Sequence, residues 1–158
     1  MNDRWALAEA VRGQDIVYAN LAGDIDTQAH RIVDVMTAEG VQRLIFVTAL
    51  GIYQEVPGEF GRWNRQTIGA STLDIYAAAA DAIEASSLDY TVLRPAWLSD
   101  ADEISYEITR RDEPFKGTTV SRKSVAALIA DIVANPNTHV RESLGVNKPG
   151  TDGDRLVW

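Results

Sequence analysis

The 158-residue sequence has no cysteine and only two histidines. Without cysteine there is neither a disulfide framework nor a thiolate metal site, and the composition suits a reducing cytoplasm. His30 and His139 lie far apart and outside any ligand-spaced cluster, so no metal site is expected. Positive charge is also scarce: 15 Lys and Arg stand against 23 Asp and Glu, a net charge of −8. Phosphate contacts require clustered cations, and only "SRK" at 121–123 is locally basic, so neither nucleic acid nor an anionic membrane surface is an expected partner. No apolar run approaches the ~20 residues of a membrane span, and no charged-then-apolar leader opens the chain; a cytoplasmic location is expected. What remains is ordinary for a folded protein. Apolar residues make up 46% and charged residues 24%, with no repeat or low-complexity run, and residues 1–158 read as one domain able to bury a core.

The apolar pattern alternates between strand-like and helix-like segments. "DRWALAEAVRG" starts at a capping-type Asp3 and stops at Gly13, which predicts a short helix. Asp15 to Leu21 is a short apolar run, the first strand. Ala29, Ile32, Val33 and Met36 recur at helical spacing before Gly40. "QRLIFVTAL" is the second strand, followed by a polar and aromatic loop from about Gly51 to Gln66. Leu73, Tyr76, Ala77, Ala80 and Ile83 mark a long helix, and "LDYTVLRPAWL" a third strand ended by Pro95. Between Ala96 and Val120 only "YEITRRDE" and "GTTVS" suggest short strands. "SVAALIADIVANP" is a further helix, stopped by Asn135-Pro136, and "ESLGVNKPG" a last strand. Such alternation implies right-handed crossovers and a three-layer α/β Rossmann-like fold, doubly wound around a mainly parallel sheet. Ligands of such sheets bind beyond the carboxyl ends of the strands, here "NLAG" (20–23), "TALG" (48–51) and "RPAWL" (94–98).

The segments "DIVYANLAG", "VQRLIFVTALG", "AADAIEASSLDYTVLRPAWLSD" and "VSRKSVAALIADIV", in that order, resemble the atypical short-chain dehydrogenase/reductases, specifically the NmrA-like NAD(P)-binding group. The resemblance spans about Asp3 to Gly150. It implies an NAD(P) cofactor lying across the strand ends, with Asn20, Leu21 and Ala22 near the adenosine ribose, Thr48 and Ala49 near the nicotinamide, and Pro95, Ala96, Trp97 and Leu98 beside the nicotinamide end.

The sequence departs from that family twice. The Gly-rich turn that admits a pyrophosphate to a helix N-terminus is absent; "GEFGRWN" at 58–64 is the nearest glycine pair, with no strand leading into it. The chain thus reads as the later portion of the fold, N-terminally truncated relative to the family. The catalytic Ser, Tyr and Lys positions of the short-chain reductases fall on Ala49, Thr72 and Tyr76, leaving Thr48 and Tyr76 as the only catalytic candidates. Arg94 reads as a ligand for an anionic group or as one half of a salt bridge, and Tyr53, Phe60, Trp63 and Trp97 as a substrate pocket or an interface wall.

Three functions fit these residues. The first is an NAD(P)-dependent oxidoreductase acting on a small carbonyl or quinone-like molecule, the second a non-catalytic NAD(P)-binding redox sensor, the third an oligomerising fragment that binds no cofactor. The first strand would be an open sheet edge, which predicts a homo-oligomer that covers it.

Overall fold

In chain order the computed structural model contains α1 (Arg4–Val11), β1 (Ile16–Ala19), α2 (Ile25–Glu39), β2 (Arg43–Val47), α3 (Gly58–Ile68), α4 (Ala70–Glu84), β3 (Asp89–Pro95), β4 (Trp97–Ser99), β5 (Glu107–Thr109), β6 (Thr119–Ser121), α5 (Arg122–Ala134) and β7 (Glu142–Asn147). It describes residues 4–158, so the proposed cap Asp3 lies outside the described residues. The main sheet has the order β1-β2-β3-β7-β5, with the first four strands parallel and β5 antiparallel to β7. β4 and β6 form a separate parallel pair.

Period-two alternation along the central strands builds the layers. Leu44, Phe46 and Val92 face a core shared with Ile32 and Met36 of α2 and Ile83 of α4. Ile45, Leu93 and Leu144 face a second core with Leu128 and Ile132 of α5. Each such side chain stabilises the fold by about 1.5–3 kcal/mol when fully buried, which outweighs the fractional differences in helix propensity along these segments. Ends are set locally. Gly40 closes α2 in the left-handed conformation, at φ 72°, and Ser121 caps α5 by accepting a hydrogen bond from the Ser124 N–H. No helix among the described residues is long and apolar enough to cross a membrane.

The fold corrects the sequence reading in one place. Residues 58–68, expected to belong to a loop, form α3 despite two glycines that disfavour helix by about 1 kcal/mol each. Tertiary packing overrides that preference: Phe60 and Asn64 are buried, and a Cβ on Gly61 would come within 2.0 Å of the Val56 carbonyl oxygen. The third strand ends at Pro95, as expected. Ala96 N–H still bonds Val146 O, whereas Trp97 N–H bonds Thr118 O, so the chain changes partner across one peptide and starts β4.

Candidate functional site

The parallel register puts the carboxyl ends of three strands side by side. Ala19 is opposite Phe46, Val47 opposite Leu93, and Pro95 opposite Val146. Beyond β2 the backbone keeps following β3: Thr48 N–H bonds Leu93 O at 2.7 Å and Leu50 N–H bonds Pro95 O at 3.3 Å. The result is a ledge of small residues, as the order of the segments predicts.

On the α5 side of the ledge lies a groove of about 260 Å³, lined by Asn20, Val47, Pro95 and Leu98 from the ledge and by Tyr18, Arg122, Val125, Ala126 and Ile129 around it. Asn20, Pro95 and Leu98 are thus brought together. Leu21 packs toward the α1 and α2 core and lines a different hollow on the other face of β1. Ala22 is exposed and accepts a hydrogen bond from the Gln28 amide. Ala49 is half-buried and Ala96 buried, both within the ledge. Trp97 turns away from the groove: its indole N–H donates to Asn64 Oδ1 at 2.9 Å and its ring lies 5.0 Å from that of Trp63. The structure adds Arg122, Val125 and Ile129 of α5. Only the helical period of "RKSVAALI" hinted at them, because nothing in the sequence fixes which helix returns to this ledge.

The two catalytic candidates differ in setting. Thr48 is 7% exposed, and its hydroxyl donates to Leu93 O at 2.9 Å. Its proton is therefore committed to the sheet, although its lone pairs remain free. Tyr76 packs its ring against the α2 core and is not among the groove residues. Its hydroxyl makes no hydrogen bond among the described residues, and no cation pairs with it. Neither candidate is thus partnered by a cation that would assist a proton transfer.

Arg94 resolves as structural. It is fully buried, with its guanidinium 2.6 Å from Glu55 and further bonds to Ser143 and the Arg110 carbonyl. Glu55 in turn accepts the N–H groups of Gly51 and Tyr53 and so closes the turn after the ledge. Of the four loop aromatics, Phe60, Trp63 and Trp97 stack in a row. Tyr53 stands apart, with Arg94 and Arg111 over its ring and its hydroxyl bonded to Glu84 and Ser143. Burial first, then the bond to Glu84, raises the Tyr53 phenol far above its ordinary value.

The groove offers an apolar floor of Val47, Pro95 and Leu98, which suits a flat ring. A pyrophosphate does not fit among the described residues: a single glycine, Gly23, precedes α2 there in place of a Gly-rich turn, and Arg122, the cation at the mouth, is paired with Asp100 at 2.6 Å.

No curated protein matches the chain. Among solved structures, a Rossmann-fold NAD(P)-binding family protein from Shigella flexneri is 53% identical with a TM-score of 0.82, over 99% of this chain and 71% of that one. A short-chain dehydrogenase/reductase from Veillonella parvula DSM 2008, solved in complex with NADP, is 27% identical with a TM-score of 0.92, over 99% and 73% of the two chains. An anaerobillin reductase from Escherichia coli O157:H7, 22% identical with a TM-score of 0.76 over 96% and 73%, shares the fold alone. Residues 1–136 match the family described as NAD(P)H-binding. With this match and the Rossmann fold of the short-chain dehydrogenase/reductases around its ledge, the chain belongs to that NAD(P)H-binding family.

Proposed function

We propose that the chain forms the nicotinamide side of an NAD(P)-dependent oxidoreductase acting on a small carbonyl or quinone-like substrate. One observation carries this reading: in a member of the NAD(P)H-binding family, three parallel strands end together at Ala19, Val47 and Pro95 beside an apolar groove. The nicotinamide supplies the hydride when bound. The residues of the chain position and shield. Pro95 forms part of the groove floor with its carbonyl already accepting from Leu50, Val47 and Leu98 exclude water, and the lone pairs of Thr48 can orient a donor group. Protons come from solvent. The experiment is a titration with NADPH or NADH followed by tryptophan fluorescence, then turnover of a benzoquinone followed by loss of nicotinamide absorbance. Saturable binding with turnover supports the reading, and absence of both at millimolar nucleotide ends it.

A second reading, a nucleotide-binding redox sensor, is favoured by the Thr48 proton already held by Leu93 O and by the unpartnered Tyr76 hydroxyl. It expects binding without turnover. In either case the free side of β1, with Tyr18 49% exposed, is proposed to pair with a second copy of the chain in the cytoplasm, because an unpaired strand edge is a template for association. A monomer by sedimentation overturns that part.

A further inference from the structure

A cavity of about 750 Å³ lies away from the groove, between α3 and the last residues of the chain. Its volume is within the range of small-molecule sites. Its lining is Glu59, Trp63, Asp154, Arg155 and Leu156.

Three features define what it would take. Trp63 presents a flat apolar surface. It is 38% exposed while its other contacts are fixed, with Phe60 stacked at 5.6 Å and Trp97 at 5.0 Å. Trp97 is itself anchored by the buried Asn64, so the indole is a rigid platform. The opposite wall is a strap fastened at both ends. Asp152 accepts the Gly117 N–H and Thr151 brackets Thr118, while the Val157 N–H donates to Thr118 and Val157 O accepts from Thr119. The stretch between them, which carries Arg155, spans the cavity. Finally, the charges are unequal in availability. Glu59 is paired with Arg62, and Asp154 sits at the start of α3, its Oδ1 3.5 Å from where a Cβ on Gly58 would be, where the positive end of the helix favours it. The Arg155 guanidinium has no partner among the described residues.

We propose that this cleft binds a flat aromatic carboxylate, its ring against Trp63 and its carboxylate on Arg155. The ligand site stands on these residues alone. It is a site apart from the groove and does not depend on the oxidoreductase reading.

The test is calorimetric titration of the nucleotide-free protein with 2-naphthoate. Cyclohexanecarboxylate, equally charged but not flat, and 2-naphthalenemethanol, flat but uncharged, serve as controls. Binding of 2-naphthoate about tenfold tighter than cyclohexanecarboxylate is expected, the scale of one aromatic contact. Trp63→Ala should weaken 2-naphthoate by about tenfold and Trp63→Phe, which keeps a ring, by about threefold. Arg155→Gln should weaken 2-naphthoate by about threefold and leave 2-naphthalenemethanol unchanged, as for an exposed ion pair. Equal affinities for the two carboxylates, no heat at millimolar 2-naphthoate, or full affinity in Trp63→Phe and Arg155→Gln would overturn the proposal. Because no nucleotide is present, a failure of cofactor binding or turnover leaves this result standing, and the reverse holds too.

Discussion

At the amino end of the parallel sheet, Arg43 is 6% exposed and spends its guanidinium on the sheet and the loop that follows α5: Pro136 O, Asp89 O, Leu44 O, Thr138 O and the Thr91 hydroxyl all accept from it. Arg141 does similar work beside it. It donates to the carbonyls of Glu84, Ser86 and Leu88 at the end of α4, and its cation lies over the Tyr90 ring. The carboxyl end is built mostly from small residues, alanines, a proline and one threonine, with the Arg94–Glu55 pair underneath it. Polar groups that are fully spent on the backbone hold a structure together and have nothing left for a ligand. Small residues at strand ends leave room for a ligand.

This contrast can be broken by substitution. The largest effect is expected for Glu55→Ala, which leaves Arg94 buried and unpaired; a stability loss of about 4 kcal/mol in urea denaturation is expected, with the turn after Thr48 loosened and nucleotide response weakened. Arg43→Met should lower stability by about 3 kcal/mol, because several buried acceptors lose a charged donor at once. In the molecules that remain folded, nucleotide-induced fluorescence change should be as in the unaltered protein. If that substitution weakens nucleotide response as much as Glu55→Ala does, the division between the two ends is wrong.

A finer test uses pH. The raised Tyr53 phenol keeps its proton in the folded state, whereas the unfolded state loses it near the ordinary value of about 10. The contribution of Tyr53 is therefore full below about pH 10 and declines as pH rises above it, by up to about 1.4 kcal/mol per pH unit. Tyr53→Phe should flatten that decline in denaturation series taken on either side of pH 10. An unchanged slope would mean that Tyr53 titrates normally. The smallest effect is expected for Thr48→Val, which removes one neutral hydrogen bond and should reduce stability by about 1 kcal/mol. Any loss of turnover well beyond that scale would give the Thr48 lone pairs a role in orienting substrate.

How far these features could be read in advance differs by element. "RLIFV" and "SVAALIADIV" carry their own periodicity, and β2 and α5 lie where that periodicity puts them. α3 was illegible because its glycines and charges argue locally for a loop, while the reason for its helix, the burial of Phe60 and the close pass of Gly61 over Val56, lies in tertiary contacts. The ledge was legible as three turn-like segments following three strands. The aromatic cleft was not, since Trp63 and Arg155 are joined only by the path of the last residues across α3. Tyr53, grouped with the other aromatics by its place in the loop, proved to belong to the Arg94 network instead.

The alternation of apolar and polar residues determined by itself that this chain would form strands and helices in a βα order, and hence a parallel sheet with small residues at the strand ends, because burial of a periodic face is a local consequence of sequence. Which arginine would be spent on backbone, which indole would remain open and which helix would wall the groove depended on contacts between residues tens of positions apart. Only the folded arrangement decides those, since each buried donor must find an acceptor in three dimensions and the chain order does not name it.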